Sequence, residues 1–265
     1  MNRLVKHLSQ TSMMLISALM MITMSQIVLC QPDVFDSLYQ HEYHKQYGKL
    51  LYAGADFLDK TFAPATIDSL LASDNYYDRM NAAIVLGRAK TLDTLNSLYT
   101  LINLLRSEIN NPLSSSIEHY SHLLITEALK REYMLNIVNL LKPKGKELLY
   151  SLIDTAKGDL RQWLIMAATF SGAQQYRHEI RQLYLTSDNG YFRFYATDIM
   201  NRFPDTLDIP VLIKALNDDF YVTIQRRKEF QIRGTVAGAL IHHGYKIGRA
   251  GQNKEENVIL EEPIK

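Results

Sequence analysis

Cysteine is almost absent: Cys30 is the one thiol in 265 residues, which excludes a disulfide framework. Excess charge of one sign is absent as well. The 29 Lys and Arg residues nearly match the 28 Asp and Glu, leaving a net charge of +1, so the balance points to neither nucleic acid nor an acidic membrane. With 7 Pro and 12 Gly against 47% hydrophobic residues, the composition excludes a disordered or collagen-like chain, and one long uncharged run excludes a multi-span membrane protein. No Gly-rich phosphate loop, His-Glu-x-x-His helix or Gly-x-Ser-x-Gly elbow occurs. No stretch of alternating apolar and polar residues is long enough to found a sheet.

What is present begins with the first thirty residues. Arg3 and Lys6 stand in a segment without acids, and the run from Met13 to Cys30 carries no charge and is rich in Met, Leu and Ile. That is the layout of an export signal. Cleavage is expected ahead of Gln31, with a cut after Ser25 as a second choice. The 18-residue run is also just long enough for an uncleaved anchor, and Cys30 sits where a lipoprotein carries its acylated cysteine, although Leu29 departs from the usual small residue before it. The rest of the chain is expected to be exported: periplasmic, envelope-associated or secreted, with membrane attachment through residues 1–30 or a lipidated Cys30 left open. Without Arg3 and Lys6 the remainder carries 27 basic and 28 acidic residues. An exported chain with no disulfide depends on its core, and about 235 residues suffice for one.

Beyond residue 31 the apolar spacing is i, i+3, i+4, i+7 throughout, which predicts an all-α fold. Overlaying segments shows a recurring frame in which an acid precedes an Arg, and small or apolar residues follow three, four and seven positions later. Arg79 is followed by Ala82, Ala83 and Leu86; Arg161 by Leu164, Ile165 and Ala168; Arg193 by Ala196, Thr197 and Met200; Arg233 by Val236, Ala237 and Leu240. A further unit lies near Tyr120 to Ala128, where Ser121 stands at the Arg position. Between these segments lie partner helices, most clearly in the run from Phe203 to Asp219, where Pro204 and Asp205 break one helix and Pro210 sits in the first turn of the next.

The stretch Asp78-Arg79-Met80-Asn81-Ala82-Ala83-Ile84-Val85-Leu86-Gly87 resembles the unit of short HEAT repeats, and the resemblance extends over about residues 64 to 245. It implies a right-handed α-α superhelix, a HEAT-like solenoid of about five helical pairs. The expected organisation is a signal peptide or anchor (1–30), an N-terminal capping helix (31–63, centred on Val34 to Lys60), a repeat domain (64–249) and a flexible tail (250–265).

The repeated Arg reads as a packing ladder. Each guanidinium is expected to bridge to an acid of its own or the neighbouring turn, with Asp74, Asp78, Asp159, Asp188 and Asp219 as candidates. Some HEAT-like proteins, the deoxyhypusine hydroxylases, hold di-iron through His-Glu dipeptides in four repeats. Here only His41-Glu42 and His178-Glu179 occur, and the pairs His41/His44, His119/His122 and His242/His243 lack a third ligand at telling spacing, so neither a metal nor another cofactor is expected. The basic group Arg226, Arg227, Lys228, Arg233, Lys246 and Arg249 is interleaved with Phe220, Tyr221 and Phe230. HEAT-like DNA glycosylases raise nucleic acid as a partner, but export and a neutral total weigh against it.

In HEAT-like units the Arg-bearing second helix lines the concave face, and positions two before, one after and five after the Arg face solvent. Here they hold Tyr77, Met80 and Ile84; Asp159, Gln162 and Met166; Tyr191, Phe194 and Asp198. Six of these nine are aromatic or large aliphatic, which marks a groove for protein or peptide, unless the register is one residue off and the row is core. Asp219 precedes Arg233 by fourteen residues, whereas Asp74 and Asp188 precede their Arg by five. The extra residues 220–228, with Arg226 and Arg227, are expected to form a loop or helix extension walling the groove, or a plain elongated helix starting near Phe220. The functional expectation is a non-catalytic protein-interaction scaffold whose partner contacts are Tyr77, Met80, Ile84, Met166, Tyr191, Phe194, Arg226 and Arg227. The alternative is an envelope enzyme with catalytic residues scattered over the concave face.

Overall fold

The computed structural model describes residues 58–60, 62–74, 76–90, 92–112, 119–224, 227–247 and 260–261. The signal segment, Cys30 and nearly all of the expected capping helix lie outside them. Among the described residues the chain is helical almost throughout: α1 (Pro64–Leu71), α2 (Tyr76–Arg88), α3 (Thr94–Asn110), α4 (His119–Asn139), α5 (Pro143–Thr155), α6 (Gly158–Phe170), α7 (Arg177–Thr186), α8 (Gly190–Arg202), α9 (Ile209–Ala215) and α10 (Gln231–His242). No described helix is long and apolar enough to cross a membrane.

Local chemistry explains where these helices begin and end. Pro64 and Pro143 open α1 and α5, and Pro210 lies in the first turn of α9, positions where a missing N–H costs nothing. Asp93 caps α3 by accepting from the Asn96 N–H at 2.7 Å, and Asn189 caps α8 by accepting from the Tyr191 N–H at 2.9 Å. The end of α6 needs Gly172, at φ 94°. Its left-handed conformation lets the Ala173 N–H reach the Ala168 carbonyl at 3.1 Å and the Gly172 N–H reach Thr169 at 2.9 Å.

Packing joins the helices two by two: α1 with α2, α3 with α4, α5 with α6, α7 with α8, and α9 with α10. The second helix of each pair also packs on the next second helix, so contacts run in order through α2, α4, α6, α8 and α10. One continuous core results, from Leu58 to Leu240. The frame residues that follow each Arg, among them Ala82, Ala83, Leu164, Ala168, Ala196, Met200, Val236 and Leu240, are all buried in it. Gly87, which closes the best copy of the frame, is required by proximity: a Cβ there would collide with the side chain of Asn136 on α4.

The all-α expectation agrees with this helix-rich structure, and two local departures from it occur. Strands β1 (Val222–Ile224) and β2 (Arg227–Glu229) pair antiparallel, in register Val222 to Glu229. The elongated helix from Phe220 is therefore not formed, and α10 starts only at Gln231. The cause is legible: Tyr221-Val222-Thr223-Ile224 is a β-branched and aromatic run that favours an extended backbone. Within the expected loose tail, β4 (Leu260–Glu261) pairs antiparallel with β3 (Lys246–Ile247), so those two tail residues are held in a ladder.

Candidate functional site

The frame arginines each have a defined partner, and these partners mostly differ from the expected acids. Arg79 Nε donates to the Ser73 carbonyl at 2.7 Å, and Arg193 Nη1 to the Ser187 carbonyl at 3.2 Å. In both, the group six residues upstream is a backbone oxygen. Asp78 instead accepts from the Ser73 hydroxyl at 2.7 Å, Asp74 and Asp159 are exposed, and Asp188 offers Arg193 only its carbonyl, at 3.3 Å. Asp219 does reach Arg193 Nη2 at 3.2 Å but is 93% exposed, so that pair contributes little.

The main partner of Arg193 is Asp218, which accepts from Nε and Nη2 and also from the Tyr184 hydroxyl and the Phe220 N–H. Burial works against its charge, but these donors outweigh burial and hold the carboxyl below its ordinary range. Arg233 Nε donates to the Asp218 carbonyl at 2.7 Å, so one residue joins the second helices of two successive pairs. Arg161 pairs with Glu179. A further arginine outside the frame, Arg177, is buried with Asp208, which is fully buried and also accepts from Arg181. These acids come from the next pair along, which local spacing does not reveal.

The expected solvent-facing row is corrected at three positions. Met80, Ile84 and Met166 are 4%, 0% and 0% exposed and belong to the core, because α2 and α6 are enclosed over their middle turns. Tyr191 and Phe194 are half-buried against the core. Arg226 lies outside the described residues, as do the side chains of Tyr77 and Arg227. Of the other groups singled out from the sequence, His178 and His242 are exposed, while His41, His44 and the side chains of His119 and His122 fall outside what is described.

Tyr191 instead belongs to a cluster that sequence reasoning missed. Glu127 and Lys130, one turn apart on α4, form an ion pair. The Lys130 ammonium lies 5.9 Å from the centre of the Trp163 ring on α6. Trp163 in turn meets Phe192 and Tyr195 of α8 at ring-centre distances of 5.5 and 5.3 Å, and Tyr195 meets Phe194 at 5.5 Å. Glu127 is only 6% exposed. Burial raises its carboxyl above the ordinary value, Lys130 pulls it down, and the charge of Asp159 adds to the rise. The Tyr191 hydroxyl is raised by burial and then by the Glu127 charge. In this cluster Glu127 Oε2 and Trp163 Nε1 have no hydrogen-bond partner, and neither does Oε1 of Gln162, the residue before Trp163 on α6. Asp159, Gln162 and Trp163 stand at i, i+3 and i+4, so α6 turns one face toward this cluster.

A sequence signal for Glu127 exists in hindsight. It stands six residues after Ser121, where the other four units carry Val85, Ala167, Ile199 and Ala239. Family models, curated proteins and solved structures, all compared with the chain, return no match.

Proposed function

We propose that this protein is an exported, non-catalytic interaction scaffold: a HEAT-like helical solenoid that binds a protein or peptide on the face built from its second helices. The observation that carries the reading is the ordered packing of α2, α4, α6, α8 and α10 on one another, since a layer of stacked equivalent helices offers one extended, rigid surface. The bonding of the frame arginines supports it. Arg161, Arg193 and Arg233 join their helices to neighbouring segments, a role in cohesion that leaves the surface between them for contact. The half-buried Gln162, Tyr191 and Phe194 supply amphipathic and aromatic groups of the kind enriched at interface centres. Export rests on the signal-like pattern of Arg3, Lys6 and the uncharged run to Cys30.

A photocrosslinking residue placed at Phe194, and separately at Leu185 on the first helix α7, tests the binding face in cells that make the protein. A specific adduct from position 194 and none from 185 supports the reading. Equal labelling at both, or labelling at 185 alone, overturns it.

A further inference from the structure

The row of second helices ends differently on its two sides. Residues 80–87 of α2, the first of the row, are buried on every side. The last, α10, packs on α8 and α9 and turns Ile232, Val236, Ala239 and Leu240 into the core. Gly234, Ala237 and Gly238 are half-exposed and Ile241 is exposed. These four stand at i, i+3, i+4 and i+7, so they share one face of the helix.

That face carries no Asp, Glu, Lys or Arg. Each of the other second helices presents at least one such residue to solvent, fully or in part: Asp78 on α2, Arg131 on α4, Asp159 on α6 and Asp198 on α8. The last helix of a stack ordinarily has a polar outer side, because no further unit covers it. On α10 the outer side is apolar. Ile241 is 56% exposed, and with Leu207 and Ile213 it places three of the six exposed large hydrophobic residues, among the described residues, in the last helix pair and the turn that leads to it.

Gly238 adds a separate observation. Glycine inside a helix is unfavourable, and packing within the chain does not require it here: a Cβ at 238 would meet only Asn201 Oδ1, at an ordinary 3.8 Å. On the outer side, the absent side chain lets another helix approach closely.

The row itself indicates what approaches. Every second helix before α10 is followed by another packed on it, so the open side of α10 continues a helix-on-helix contact. The segment between β3 and β4 is a poor match for it, since it holds Arg249, Lys254, Glu255 and Glu256, and an uncharged face does not offset their desolvation. A second copy of the chain offers no open α2, which rules out end-to-end stacking. It does offer its own α10, and two uncharged faces meeting about a two-fold axis bury no like charges.

We infer that the outer face of α10 is a homodimer interface, in which Gly234, Ala237, Gly238 and Ile241 pack against the same residues of a second copy.

Cross-linking at the centre of the face tests this. Chains carrying Cys30→Ser together with Ala237→Cys or, as the control, Leu185→Cys on α7 are treated with a short bismaleimide. A covalent dimer is expected from Ala237→Cys, close to the two-fold axis, and none from the control. Adding Ile241→Glu, with the helical circular dichroism checked to match the parent, is expected to cut the yield of that dimer about tenfold or more, and sedimentation equilibrium is expected to show the same weakening of self-association. No covalent dimer from position 237, equal yields at 237 and 185, or a yield unchanged by Ile241→Glu overturns the interface. A dimer that forms only once residues 248–265 are removed overturns it in favour of that segment as the cover. Absence of a dimer in both forms overturns it in favour of a different protein.

Discussion

Arg193 and Asp218, 25 residues apart in sequence, meet in a two-pronged pair, Nε to Oδ2 at 2.8 Å and Nη2 to Oδ1 at 3.0 Å. The guanidinium sits on α8 and the carboxylate in the segment after α9, so the bond fastens the fifth helix pair to the fourth. Asp218 is almost fully buried there. Arg193→Ala is expected to destabilise the protein by about 2–3 kcal/mol in urea unfolding, because it strands a buried acid. Asp218→Ala is expected to cost more than Arg193→Ala, since it also strands the Tyr184 hydroxyl and the Phe220 N–H. The reverse order would show that the pair is peripheral.

The same acid sets a pH dependence. Its folded-state pKa is lowered, so its contribution is fully present above the unfolded value of about 3.9 and is lost as pH falls through the folded value. Thermal melting followed from pH 6 downward is expected to drop steeply below about pH 4, and Asp218→Asn is expected to flatten that part of the curve. An unaltered acid limb in the variant would place the titrating groups elsewhere.

Glu127 carries the opposite sign. Its folded-state pKa is raised, so the ionised form is penalised and the penalty develops as pH rises from the unfolded value of about 4.3 through the folded value. Glu127→Gln is therefore expected to gain stability relative to the parent between about pH 4 and neutrality. A constant offset across that range would show that the carboxyl titrates normally.

Gly190 opens α8 directly beneath the ring of Phe220, and a Cβ at position 190 would overlap that ring. Phe220 is further braced by Tyr191 at 5.1 Å. Gly190→Ala is expected to cost about 1–3 kcal/mol through overpacking, and Phe220→Leu in the same chain is expected to recover part of it. Strict additivity of the two substitutions in a double-mutant cycle would argue that residues 190 and 220 do not touch.

Removing Arg177 is expected to be more damaging than removing any arginine of the repeating frame, at about 3–5 kcal/mol, because Asp208 would remain buried with Arg181 as its one remaining ionic partner. Replacing both Arg177 and Asp208 by Met and Leu is expected to recover most of that loss. If the double variant is no better than Arg177→Ala in chemical denaturation, the pair contributes more than mutual neutralisation.

The helical class of the chain, the buried face after each frame arginine and the opening at Pro210 were all legible from residue order. They follow from the 3.6-residue period and from capping, which act over one or two turns. The β-branched run from Tyr221 to Ile224 was legible too, and of the loop, helix extension and plain elongated helix expected there, the two helical alternatives overlooked that local preference in favour of a frame. Tertiary structure alone decided which acid meets which arginine: the partner of Arg193 comes from the next helix pair, and the spacing of Asp188 before it reflects a carbonyl contact. It also decided that Met80, Ile84 and Met166 are core, because residues 80–87 of α2 and 163–169 of α6 are buried on all sides while the ends of both helices stay partly exposed, a condition set by how many helices surround those turns and not by their own periodicity. Glu127 belongs to the same class. A single acid at a position that is apolar in the other units looks like drift within a repeat, and becomes a buried carboxyl with an unpaired oxygen only when α6 and α8 bring Trp163 and Tyr191 beside it.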